Sequence, residues 1–192
     1  MIRGMMRPHA QRLKLTYEDY LLFPEDGKRH EIINGDHFMS PSPLTKHQRI
    51  SSALHLILGL FIREKKLGHL LAAPMDVVLS DFDVVEPDLL FISTARESII
   101  TDKNIQGAPD LVIEILSEGT RKTDEIIKRK LYETHGVSEY WVVDPVLSTV
   151  KVYRTINNEY VRTDELSAEA NDTLNTPLLP GLSILLSDIF DS

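Results

Sequence analysis

The sequence predicts a mixed α/β fold, an α+β arrangement in which a mixed sheet has one long helix before its central strands and one after. Two runs rich in Val, Ile, Leu and Phe, at residues 84–92 and 108–117, predict those central strands. Apolar residues at helical spacing predict one helix at about 45–67, and a second is predicted at about 121–135. An Asn34-Gly35 pair between two short β-forming runs adds an N-terminal β-hairpin.

Composition is that of one ordinary folded domain without cross-links. The chain has 192 residues, of which 42% are hydrophobic and 26% charged. It has no cysteine, which excludes a disulfide framework and a thiolate zinc site and is typical of a reducing compartment, so we expect a cytoplasmic protein. No apolar run reaches the length of a membrane span, so no membrane association is expected.

Charge is unevenly distributed along the chain. Lys and Arg number 21 against 29 Asp and Glu, for a net charge of −8. Residues 1–14 contain four basic and no acidic side chains and are expected to form a basic mobile tail, with a single domain at 15–192. A nucleic-acid-binding protein normally shows a basic footprint, so any such surface here must be local.

Two carboxylates stand where the sequence predicts buried strands. Glu114 lies inside a nearly continuous apolar run, and Asp88 follows a proline and opens another. A buried carboxylate must be paired, protonated or bound to a cation, and two of them on neighbouring strands would form half of a Mg²⁺ site. The alternatives are that Asp88 is a turn residue at the entry of its strand and that Glu114 pairs with one Lys or Arg.

Several segments together resemble the Uma-type restriction endonuclease family of the PD-(D/E)XK nuclease superfamily. The resemblance extends from about Leu15 to Phe190 and rests on the order and spacing of 31–35 (EIING), 47–48 (HQ), 86–91 (EPDLLF), 107–117 (GAPDLVIEILS), 136–145 (GVSEYWVVDP) and 178–181 (LLPG). It implies a restriction-endonuclease-like core and hydrolysis of DNA phosphodiester bonds that depends on Mg²⁺, with Mn²⁺ as a substitute.

The resemblance also implies roles for individual residues. Asp88 and Glu114 match the two acidic positions of the superfamily and are the implied metal ligands, together with the backbone carbonyl of Ile115. Glu31 matches an acidic position of the N-terminal hairpin and is expected to complete the catalytic site. An exposed hairpin carboxylate is the alternative for Glu31. If Glu31, Asp88 and Glu114 converge without a metal, their repulsion should raise at least one pKa.

One departure from the superfamily concerns the catalytic lysine. The pattern places a lysine two residues after the second acidic residue, and Leu116 stands there instead. Lys128 is the best substitute, since residues 124, 128 and 132 share a helix face and Lys128 could reach the end of the Glu114 strand. Lys130 and Arg129 are the runners-up, and a solvated basic helix face is the alternative.

Three functions stay open at the level of sequence. The first is a metal-dependent DNA endonuclease, expected to be a homodimer so that two sites cut two strands. The second is a catalytically inactive binding or interaction module on the same fold, and the third is a metal-dependent phosphodiesterase acting on another substrate. A basic rim around Asp88 and Glu114 would favour nucleic acid, and an acidic rim would favour the alternatives.

Overall fold

The computed structural model describes residues 13–40 and 42–191. Most of the basic tail predicted at 1–14 therefore lies outside the described residues. Lys14, which is described, is held by the hairpin that follows: its Nζ donates to Asn34 Oδ1 at 2.6 Å and lies 5.7 Å from the centre of the Phe82 ring.

Thirteen strands and four α-helices make up the described part of the chain. The strands are β1 (Arg29–Ile33), β2 (Asp36–Ser40), β3 (Gly68–Ala72), β4 (Val77–Ser80), β5 (Asp83–Val85), β6 (Leu89–Ser93), β7 (Ile105–Gln106), β8 (Leu111–Ile115), β9 (Glu139–Asp144), β10 (Thr149–Ile156), β11 (Glu159–Ser167), β12 (Thr173–Leu174) and β13 (Ile184–Leu185). The helices are α1 (Tyr17–Tyr20), α2 (Thr45–Lys65), α3 (Arg129–His135) and α4 (Ser187–Phe190), with a 3₁₀-helix at Thr94–Ile99 and a π-helix at Thr123–Lys128.

The larger strands form two mixed sheets rather than the single sheet expected from the sequence. One sheet has the order β2-β1-β5-β4-β7 and the other has the order β11-β10-β9-β8-β6-β3. The chain crosses between the two sheets several times, and one of these crossings is the short link between β5 and β6, which contains Asp88. The split arises because the run predicted as one strand at 84–92 is divided: its first residues belong to β5, which pairs with both β1 and β4, and its later residues form β6 of the other sheet.

The N-terminal hairpin forms as its turn sequence predicts. Asn34 and Gly35 both have positive φ, 53° and 76°, as a two-residue hairpin turn requires. Ile32 pairs with His37 across the hairpin, and Ile32 and Glu31 are both buried. The hairpin thus carries an acidic side chain into the interior.

The long helix predicted at about 45–67 is α2, Thr45–Lys65. Leu44 is its N-cap residue, and no side chain bonds the first free N–H groups. At the other end Lys66 takes the left-handed conformation, with φ 54°. The buried face agrees with the predicted spacing and consists of His47, Ile50, Leu54, Leu58 and Ile62.

Two apolar clusters pack on the two faces of the six-stranded sheet. One joins α2 to residues of β6, β8, β9 and the C-terminal segment, and Trp141 lies fully buried within it. The other joins the hairpin and β4 to β8, β9 and the helix that ends at His135, and it contains Tyr132 and Tyr140. Among residues 13–40 and 42–191, no helix is long and apolar enough to cross a membrane.

Candidate active site

A cleft of about 310 Å³ opens between the hairpin, the first turn of α2 and the π-helix. The strand β1, the link before β6 and the end of β8 each send polar side chains into it. Its acidic lining residues are Glu31, Glu86, Asp88, Glu114, Glu118 and Asp124, and its basic ones are Arg29 and Lys128, with His47 beside them. The three carboxylates singled out from the sequence therefore share one cleft.

Lys128 lies at the centre of the acidic residues. Its Nζ is 2.8 Å from Glu31 Oε1, 2.9 Å from Glu114 Oε1 and 3.6 Å from Asp124 Oδ1. Lys128 is only 4% exposed and Glu31 only 2%. The alternative of a solvated basic helix face is therefore wrong for Lys128, and that of an exposed hairpin carboxylate is wrong for Glu31. Lys130 instead binds Glu133 on the exposed side of α3.

The π-helix and α3 bring a second donor to Glu114. The Tyr132 hydroxyl donates to Glu114 Oε1 at 2.8 Å, the same oxygen that accepts from Lys128. Burial raises the pKa of Glu114 to about 8, with repulsion from Asp124, Asp88 and Glu31 adding to it and Lys128 opposing it. Burial likewise raises the pKa of Asp124 to about 6. The expected rise in at least one carboxylate pKa is therefore present, and burial is its larger cause.

Asp88 lies in a different environment from Glu114. Its Oδ1 accepts from Arg29 at 2.7 Å, and its Oδ2 accepts from the Ile115 backbone N–H at 2.8 Å and is 3.1 Å from His47 Nε2. Burial alone would raise the pKa of Asp88, but His47, Arg29 and the Ile115 N–H lower it to about 2. One carboxylate of the pair is therefore held ionised while the other is pushed towards its neutral form.

Glu86 is a further buried carboxylate at the edge of the cleft. Its backbone N–H donates to Glu31 Oε1 at 2.9 Å, so it helps to orient the hairpin carboxylate. Burial raises the pKa of the Glu86 side chain to about 7, with repulsion from Asp76 and Glu31 adding to the effect. Arg29, whose Nη1 also contacts the Glu86 carbonyl, opposes this rise.

The donor set fits a divalent cation in both chemistry and charge. Carboxylate oxygens are the ligands that Mg²⁺ prefers, and the acidic lining residues outnumber the basic ones. Within the described residues, however, no three His, Asp or Glu side chains are arranged as a ready-made metal site. The Lys128 ammonium lies between Glu31, Glu114 and Asp124. The metal-ligand roles of Asp88, Glu114 and the Ile115 carbonyl stay predictions.

Sequence reasoning missed several members of the cluster. The sequence motifs do not identify Arg29, and helical spacing predicts Asp124 and Tyr132 only as neighbours of Lys128 on one helix face. A signal for Arg29 was present, since residues two apart on a strand point to the same face and Arg29 therefore shares the face of Glu31. No local signal identifies His47 as the partner of Asp88, because 41 residues separate them.

One protein family is similar to this chain over most of its length. The model of the Uma2 family, described as "Putative restriction endonuclease", matches residues 17–187.

The chain belongs to the Uma2 family.

This Uma2-family chain is also similar in fold to a solved structure. It is the crystal structure of a protein from Anabaena variabilis described as "a putative nuclease belonging to DUF820", with 24% sequence identity and a TM-score of 0.78. The match covers 92% of this chain and 98% of that one, so the shared fold extends over nearly the whole chain. No curated protein matches the sequence.

Proposed function

We propose that this Uma2-family protein is a metal-dependent DNA endonuclease that acts in the cytoplasm as a homodimer. The cleft containing Glu31, Asp88, Glu114 and Lys128 would hydrolyse phosphodiester bonds, with Mg²⁺ as cofactor and Mn²⁺ as a substitute. The observation that carries this proposal is the convergence of buried carboxylates from β1, β8 and the π-helix on one lysine, with Asp88 of the β5–β6 link in the same cleft. Burying so many acidic groups in one cleft is costly, which is typical of a functional site rather than a structural one.

The residues that would hold the ion are Asp88, Glu114 and the carbonyl of Ile115. When held there, the ion would supply Lewis acidity towards the scissile phosphate and would lower the pKa of an attacking water. Arg29, His47 and the Ile115 N–H hold both carboxylate oxygens of Asp88 in place. Pre-organisation of this kind removes the need to reorient the ligand during the reaction.

Lys128 would supply positive charge at the scissile phosphate. Among the described residues, the ammonium of Lys128 forms ion pairs with the three carboxylates of Glu31, Glu114 and Asp124, and these contacts fix it in the cleft. Burial by itself lowers the pKa of Lys128, but these carboxylates raise it well above its ordinary value, and the side chain stays charged. A fixed ammonium stabilises the negative charge that develops on phosphate oxygens during hydrolysis.

The acidic lining favours a second candidate, a metal-dependent phosphodiesterase acting on a substrate other than duplex DNA. Glu118 and Glu86 add negative charge beyond the predicted metal ligands, and long polyanionic duplexes are repelled by such a surface. A small phosphodiester needs no extended basic footprint. The two candidates share the same chemistry and differ in the size of the substrate.

Cleavage of supercoiled plasmid in Mg²⁺ and in EDTA tests the proposal. We expect nicking or linearisation that needs the metal and that is lost in Asp88→Asn but retained in Asp110→Asn. Asp110 is the matched control, because it also follows a proline and is buried but binds the Ser93 N–H and Arg96 outside the cleft. Cleavage of a small phosphodiester but not of plasmid would establish the second candidate. If neither substrate is hydrolysed, the result favours the catalytically inactive binding module instead.

A further inference from the structure

Helix α2 carries an apolar stripe on the face that points away from the core. Leu56 is 61% exposed and Leu60 is 51% exposed, although both lie in the middle of a helix of 21 residues. The buried face of α2 is formed by other positions, including Leu54 and Leu58. A helix with apolar residues on two opposite faces has a second surface to cover.

Oppositely charged side chains lie at the two ends of this stripe. Arg49, Leu56, Leu60 and Glu64 are separated by seven, four and four residues, so they line up along one side of the helix. Arg49 makes no ion pair with any residue in the described part of the chain, and Glu64 has only a 3.8 Å contact with its neighbour Lys65. The two charged ends are about 22 Å apart along the helix axis.

We propose that this stripe, Arg49–Leu56–Leu60–Glu64, is the contact surface for a second copy of the chain, packed antiparallel about a two-fold axis. A two-fold axis perpendicular to the helix brings Arg49 of each copy opposite Glu64 of the other and packs the leucines between them. A parallel pair would place Arg49 against Arg49 and Glu64 against Glu64, which costs free energy at both ends. The charge pattern therefore selects the antiparallel arrangement.

The surroundings of the stripe suit a packed helix pair. A groove lies on each side of it: one is lined by Leu56 and Leu60 together with residues of β3, and the other by Leu56, Ile57 and Asp188. Side chains of a partner helix enter such grooves when two helices pack.

Sedimentation velocity of the full chain across the micromolar range tests this surface without relying on nuclease activity. We expect a dimer for the wild-type chain and a monomer for Leu56→Glu, because a charged residue would be buried at the centre of the interface. Val161→Glu on β11, at the opposite edge of the six-stranded sheet, is the matched control and should remain a dimer. A monomeric wild-type chain, or a dimer lost in Val161→Glu and kept in Leu56→Glu, overturns the proposal.

Charge exchange tests the antiparallel register and removes the objection that a variant has merely misfolded. Arg49→Glu and Glu64→Arg should each weaken the dimer by about tenfold or more, since each places like charges opposite one another. The double variant with both changes should regain the wild-type dissociation constant within about threefold. No recovery in the double variant overturns the arrangement. The stripe alone should hold the dimer together, so deletion of residues 1–12 should leave the dimer intact. Loss of the dimer on that deletion overturns the proposal.

Discussion

Asp88→Asn and Glu114→Gln should change the stability of the metal-free protein in opposite directions. Both side chains are almost fully buried and both are acidic, so a sequence-based argument treats them alike. Their partners differ: Asp88 is surrounded by Arg29, His47 and a backbone N–H, whereas Glu114 lies among other carboxylates and shares one lysine with them. The first environment stabilises the ionised form and the second disfavours it.

The size of each effect follows from the pKa values. The pKa of Asp88 falls from 3.8 to about 2, and since one pKa unit is worth about 1.4 kcal/mol, its ionisation contributes about 2 kcal/mol to stability at neutral pH. The pKa of Glu114 rises from 4.5 to about 8, so at pH 7 keeping this carboxyl group buried costs about 3 kcal/mol. Gln cannot ionise and still accepts hydrogen bonds from Lys128 and Tyr132, so Glu114→Gln should recover most of that cost.

The two effects also have different pH dependences. A lowered folded-state pKa gives stability that is complete above the unfolded pKa and is lost only as pH falls through about 2, so the loss in Asp88→Asn should be constant between about pH 5 and 8. A raised carboxyl pKa destabilises increasingly as pH rises from 4.5 to about 8, so the gain in Glu114→Gln should grow over the same range.

Urea unfolding of both variants and the wild type in EDTA, at several pH values, provides the measurement. A destabilised Glu114→Gln whose deficit does not change with pH would refute the reasoning. It would mean that Glu114 is an ordinary ionised partner of Lys128 and that the pair is structural.

Three further predictions concern the lysine, a strand-end carboxylate and a crowded glycine. Lys128→Met should abolish cleavage while metal affinity, measured by calorimetry, is retained or increased, and Lys130→Met should leave both unchanged; equal activity in both variants would contradict the role of Lys128. Asp83→Asn should destabilise the protein by about 1 to 3 kcal/mol at neutral pH, because the carboxylate accepts bonds from a serine, a histidine and the hairpin backbone. Burial would raise the pKa of Asp83, but these three partners lower it below its ordinary value. The stability deficit of Asp83→Asn should therefore disappear at low pH, where acid protonates Asp83 in the wild type, and unfolding curves at low pH will check this. Gly68→Ala should lower the melting temperature strongly, since a Cβ there would lie within 2.1 Å of a carbonyl oxygen on the neighbouring strand, whereas Gly119→Ala, with nothing within 4 Å, should have little effect.

Local sequence signals predicted the elements that depend on near neighbours. The Asn34-Gly35 turn forms because both residues tolerate positive φ, and the strand containing Glu114 forms because its apolar run suits burial on both faces. The shared face of Asp124, Lys128 and Tyr132 was predicted from helical spacing alone, and all three side chains lie in or beside the acidic cluster.

Features that depend on distant pairing were not predictable in the same way. The division into two sheets depends on β5 pairing with β1, which lies about 50 residues earlier in the chain, and only one residue pair defines that contact. The opposite environments of Asp88 and Glu114 depend on Arg29 and His47, whose positions are set by the hairpin and by α2. Side-chain partners of this kind follow from the tertiary fold, so no local pattern in the sequence encodes them.

The π-helix at Thr123–Lys128 has a consequence for how this segment can change in length. Its wider turns use more residues per turn than an α-helix, and such turns are less favourable on their own. Deleting one of the residues between Asp124 and Lys128 would let the segment relax into a regular α-helix with better backbone hydrogen bonds. Because six residues in π turns rotate the chain about as far as five residues in α turns, the residues from Arg129 onward would keep nearly the same orientation, and Tyr132 would stay close to Glu114. One residue of this segment can therefore be lost without dismantling the cleft, and descendants of this sequence are expected to vary in length here more readily than in the regular α-helix that follows.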